Sequence, residues 1–299
     1  PRRPPIALPT SGRKPGPQHR ALLTSLWIAI AVPALAWGTE YYLTPLQERP
    51  FLESHELFAP SALAGHGYGV VGTLMIIVGV ASYAVRKRTR SLNRLGKLKH
   101  WLEVHIFLCT LGPYLVLLHT AGRVGGIVSI AFWSMTLVVA SGVFGRYIYA
   151  RIPKNLQGKF LSPEALERQR REATADLRTR LALDEAGFGE LVERVRPSSP
   201  RSALHALFMA LRWDLGRARL HRELGRVLAE RETSARDRKE LVGLLQEEGR
   251  RELQIVLLHP FRRLFRYWHV FHLPLALVMF LILAVHVTVV VLFGYAWIF

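Results

Sequence analysis

Residues 99–120 read KHWLEVHIFLCTLGPYLVLLHT, and residues 268–293 read WHVFHLPLALVMFLILAVHVTVVVLF. Both runs are long enough to cross a hydrocarbon core as a helix, which takes roughly 20 residues. Each carries two histidines 14 residues apart, His105 and His119 in the first and His272 and His286 in the second. At about 100° per residue, 14 steps fall only about 40° short of four full turns, so both histidines of a pair face the same way. Along the axis they stand roughly 21 Å apart, most of the depth of a bilayer.

Three further apolar stretches reach the same length, so the spans are placed at 21–42, 66–85, 99–120, 126–150 and 268–293. The first is too long for a signal-peptide core and is expected to stay in the chain. The sequence therefore predicts an all-α, polytopic membrane bundle of five transmembrane helices. Its expected segments are a basic tail 1–20, spans one to four within 21–150, a helical insertion 151–266, and 267–299 with the fifth span and the C-terminus.

Charge orients the bundle. The chain has 299 residues, with 40 Lys and Arg against 22 Asp and Glu, a formal net charge of +18. The tail 1–20 has five basic residues and no acid, and the link 86–99 has seven and no acid. Segment 151–266 has 25 basic against 17 acidic residues, while 40–66 holds Glu40, Glu48, Glu53 and Glu56 against Arg49. Five crossings put the three basic segments on one side, which the positive-inside rule assigns to the cytoplasm. The expected location is thus a bacterial inner (cytoplasmic) membrane, with the C-terminus outside. The positive excess reports topology, and nucleic-acid binding is not expected.

Within 151–266, Ser162 and Ser202 are expected helix caps, Pro197 to Pro200 and Thr233-Ser234 expected breaks. Leu204, Leu207, Phe208, Leu211, Leu215, Ala218 and Leu228 repeat at helical spacing and predict an apolar face. That face packs on another helix or on a partner subunit; a merely solvated charged hairpin fits the composition equally well.

Several chemistries are excluded. The single cysteine, Cys109, rules out a disulfide framework, a thiolate zinc site and a protein-ligated iron–sulfur cluster. There is no C-x-x-C-H for covalent haem, no phosphate loop and no dinucleotide fingerprint. The alternation of spans makes the third and fifth parallel. His105 then shares a depth with His272, and His119 with His286. Two imidazoles facing across a bundle at one level can hold a haem iron from both sides. Two such levels predict two stacked, non-covalent b-type haems with His105, His119, His272 and His286 as iron ligands.

This H-x13-H pairing on two helices resembles the dihaem b-type membrane cytochromes, both cytochrome b of the bc-type complexes and the ferric-reductase/NADPH-oxidase transmembrane domain. The second is closer, since its ligands also lie on the third and fifth spans with the N-terminus inside. The likeness covers roughly 20–150 and 267–299. It implies that the four histidines are axial ligands. The ferric reductases add a sixth span and a flavin and nicotinamide module, which these residues lack. His259-Pro260-Phe261 resembles a flavin-binding triplet of that family but has no strand context, so it carries no weight.

Supporting residues are less specific. Gly112 lies seven residues from both His105 and His119, where a bare backbone lets a helix approach a macrocycle. Arg123 and Arg146, near opposite ends of their spans, suit haem propionates, although snorkelling explains them too. Glycines 69, 72, 79, 142 and 145 suit close helix packing. His100 and His269 lie off the ligand faces at the membrane interface. They, or His66, Tyr68 and Tyr41 at the other end, are the candidates for a quinone site. Trp101, Tyr267, Trp268 and Trp297 read as interfacial anchors.

The leading expectation is an electron-transfer subunit of a quinone-linked membrane oxidoreductase. Its redox partners would carry the c-type haem or iron–sulfur ligands absent here. A stand-alone transmembrane reductase acting on ferric iron, and a non-redox scaffold whose histidines only pack, remain open on the sequence.

Overall fold

The computed structural model describes residues 17–89, 98–152, 195–229 and 235–293, with scattered positions between 91 and 96 and between 162 and 193. The tail 1–16, the break at 230–234 and Trp297 lie outside the described residues. Every described regular element is helical. The principal ones are α1 (Pro17–Trp37), α2 (Thr39–Leu43), α3 (His55–Phe58), α4 (Leu63–Arg88), α5 (Leu98–Thr120), α6 (Gly126–Arg151), α7 (Ala203–Ala229) and α8 (Ala235–Leu292). Among the described residues, five helices are long and apolar enough to cross a membrane, the character of a multi-pass membrane protein.

Two compact units emerge. The first joins Pro1–Gly142 to His272–Phe299, and the second is Val143–Phe271. Both boundaries fall inside helices, α6 and α8.

In the first unit α4 packs against α5, and α1 lies on α5. Glycines set the α4–α5 approach. Gly72 meets Gly112, and a Cβ on either would come within 2.6 Å of the other's carbonyl oxygen. Lipid tails do not drive apolar helices together, so such backbone contact is what holds a membrane pair. Two tyrosines fasten α1, with Tyr114 Oη donating to the Ala31 carbonyl at 2.9 Å and Tyr68 Oη to the Ala34 carbonyl at 3.3 Å. On α8, Leu273, Leu277, Leu281, Val285 and Val289 form an exposed row four residues apart, as a lipid-facing stripe requires. The opposite stripe carries His272, buried Met279 and His286, each seven residues from the next.

The first span starts and ends earlier than expected. α1 stops at Trp37 because Gly38 lies tightly against Tyr42 and Phe58, and α2 starts a new direction. Beyond it, Tyr41 and Phe58 are buried with Ala64 and Ala121 in a small cap over this end of the bundle. Arg49, the lone base of this loop, is buried there. Its guanidinium donates to the carbonyls of Thr44, Tyr42 and Ala121, the last lying just past the end of α5. Ala121 and Gly122 take positive φ angles of 48° and 75°, which turn the chain away from α5.

In the second unit Ser162 Oγ accepts from the Ala165 N–H, and Ser202 Oγ caps α7 through the His205 N–H. The buried face of α7 differs from the expected one. Ala206 and Ala210 join Ile148, Leu253, Leu257 and Phe261 in one core; Leu224 and Leu228 join Leu191, Val195, Val242 and Leu245 in another. Leu204, Phe208, Leu211 and Leu215 are exposed. Two apolar stripes share this helix, and the small alanines, which admit close packing, face the core. α8 runs unbroken for 58 residues through Pro260 and Pro274, so the fifth span is the C-terminal part of a longer helix.

Candidate cofactor site

His105, His119, His272 and His286 are all half-buried and all belong to the first unit. Two are placed by the register of the antiparallel α4–α5 pair. His105 Nδ1 lies 3.0 Å from the Gly79 carbonyl oxygen, and His119 Nδ1 lies 2.9 Å from that of Gly65. The Gly72–Gly112 contact sits midway. Gly65, Gly72 and Gly79 therefore recur every seven residues on α4 and face His119, Gly112 and His105 at the same interval on α5. A seven-residue repeat keeps one seam facing a partner helix over several turns.

A carbonyl oxygen only accepts, so each of these imidazoles donates from Nδ1 and is left with the Nε2 lone pair. The same holds on α8. His272 Nδ1 lies 2.6 Å from Ser141 Oγ on α6, while that hydroxyl lies 2.8 Å from the Val138 carbonyl. With its proton given to Val138, Ser141 accepts from His272. Three of the four histidines are thus held in one tautomer, the arrangement that second-shell partners impose on metal-binding histidines.

The two levels have different surroundings. Around His119, the Gly69 backbone leaves the ring its space; a Cβ there would lie 2.8 Å from His119 Cγ. His66 on α4 stands edge-on to His119, with ring centroids 6.2 Å apart. His286 interacts electrostatically with both His66 and His119. Around His105, Tyr83 lies with its ring 5.3 Å away and Cys109 Sγ lies 3.5 Å from Nδ1, while His272 has Ser141.

The remaining expected site residues fall as follows. Gly112 is fully occupied with α4, so its bare face serves helix packing. Arg123 is exposed in the α5–α6 turn, and Arg146 is half-buried on α6 in the second unit. Among the quinone candidates, Tyr41 is buried in the loop cap with Oη 3.2 Å from His55 Nδ1, and Tyr68 is bonded to α1. His269 stacks edge-on against Trp268 and Phe265. Ser141 and the glycine carbonyls were missed by sequence reasoning. Gly65, Gly72 and Gly79 at seven-residue intervals are the signal that exposes the carbonyls.

No known family model matches the chain, and no curated protein or solved structure matches it.

Proposed function

We propose that the chain is a membrane-embedded b-type cytochrome subunit. It binds two haems between α5 and α8 and carries electrons across the membrane, between a quinone pool and a partner redox protein. One observation carries this reading: His105, His119 and His272 each place Nδ1 against a fixed acceptor, Gly79, Gly65 and Ser141 respectively, so that Nε2 is the nitrogen that would meet an iron. A ring fixed through Nδ1 in this way is the arrangement that metal-ligating histidines usually adopt. The residues fit the group in number, in donor chemistry and in spacing along each helix.

Haem, when bound, supplies a one-electron iron couple. His105 and His272 would hold it at one level, and His119 and His286 at the other. The Gly79 and Gly65 carbonyls and Ser141 orient the rings and strengthen them as donors. Two protein ligands per iron favour electron transfer over binding of oxygen or substrate. The resemblance to dihaem membrane cytochromes supports the same reading, and the basic segments support an orientation with 86–99 in the cytoplasm.

The test is haem stoichiometry in purified variants. His105→Ala and His272→Ala should each remove the same haem, halving the content, and His119→Ala and His286→Ala should remove the other. Two haems surviving all four replacements would reject the ligand assignment.

A further inference from the structure

At the N-terminal end of α5 a second polar cluster joins α1 to α5. Glu103 is buried at 7% exposure although it stands in an apolar span. Its Oε1 accepts from Arg20 Nε at 2.6 Å. Its Oε2 faces two imidazoles at once, His19 Nδ1 at 2.9 Å and His100 Nδ1 at 3.5 Å. The three ligand atoms, one from each residue, all lie within 4.8 Å of one another. The His19 and His100 rings meet edge-on with centroids 4.8 Å apart.

Arg20 already neutralises the carboxylate, so two more imidazoles on its other oxygen are surplus to an ion pair. Moreover, His100 Nδ1 is shielded from solvent and makes no hydrogen bond. A shielded ring nitrogen without a hydrogen-bond partner is destabilising. A cation between the three donors removes that cost.

We propose that His19, His100 and Glu103 form a binding site for a divalent cation of the zinc class. Two imidazole nitrogens and one carboxylate oxygen are a recurrent three-ligand set for zinc, with bonds of about 2.0–2.2 Å. Tetrahedral geometry at that bond length sets the donors about 3.4 Å apart. The observed 2.9 and 3.5 Å separations bracket that value. Arg20 on Oε1 leaves Oε2 free and orients the carboxylate, the usual task of an outer-shell partner. His100 and Glu103 lie one turn apart on one face of α5, and His19 comes from α1, so the ion ties the first span to the third. The imidazoles, with side-chain exposures of 36% and 39%, give an ion access from solvent. Fourth coordination falls to water.

The test uses the full chain, tag removed, stripped with chelator and then loaded with Zn2+ alone. Zinc is counted by mass spectrometry, and its surroundings are read by X-ray absorption. One zinc per chain with imidazole scattering in its first shell is expected. His19→Gln and His100→Gln should each abolish stoichiometric binding, and His221→Gln should not. Far-UV circular dichroism confirms that the variants fold. A folded parent that binds no zinc, or whose zinc shell lacks imidazole, overturns the proposal, as does zinc retained by both variants. Haem content plays no part in the readout, so failure here and failure of the cytochrome reading are separable.

Discussion

The proton on Ser141 matters because it decides what His272 can do. With the hydroxyl given to the Val138 carbonyl, Ser141 accepts from His272 Nδ1, and in the proposed site Nε2 would meet the iron. Ser141→Ala removes that acceptor without touching either helix backbone. Haem at the His105–His272 level should then be held 10–100-fold more weakly, the usual effect of losing an outer-shell partner. Haem transfer to an excess of apoglobin measures this, and only one of two kinetic phases should accelerate. Equal acceleration of both phases would show that Ser141 acts on the whole bundle. On the other helix, the acceptors are main-chain carbonyls that no substitution removes, so those rings are controlled through the fit of α4 to α5. The spacing of the histidines is legible in the sequence. Their hydrogen-bond acceptors are not, because they belong to other helices and depend on a register that one helix does not encode.

Among the elements, α4 and α5 form the frame. Gly65, Gly69, Gly72 and Gly79 let α4 lie close enough for its carbonyls to reach the α5 imidazoles. Gly72→Leu drives four carbons into the Gly112 backbone and should separate the helices. Overpacking of this kind costs about 1–3 kcal/mol. Both haem levels should suffer, although the substituted residue lies seven positions from either carbonyl acceptor. The expected outcome is a lower thermal-unfolding midpoint together with loss of both haems; loss of one alone would contradict the shared frame. Helix positions were largely readable, with α5 at Leu98–Thr120 and α6 at Gly126–Arg151 against expected spans of 99–120 and 126–150. α1 departs because Gly38 answers to Tyr42 and Phe58, a contact made only in three dimensions. α7 departs because it carries two stripes at helical spacing. Periodicity cannot rank a stripe of small alanines above one of large leucines.

For the whole molecule, the proposed orientation reads the +18 charge as sidedness in a membrane. In a Cys109→Ser background, Phe51→Cys lies in the acidic loop and Leu204→Cys on α7, and both native side chains are exposed. A membrane-impermeant maleimide should label Phe51→Cys in right-side-out vesicles and Leu204→Cys only in inside-out ones. The reverse pattern would invert the topology. Sidedness, ring tautomers and the α4–α5 frame all serve one claim, that four histidines hold two haems at two depths. A reduced-minus-oxidised optical spectrum of the purified chain, calibrated by the pyridine haemochrome for haem per polypeptide, tests that claim most directly. B-type bands and two haems per chain are expected; folded protein without such bands would reject both haem sites.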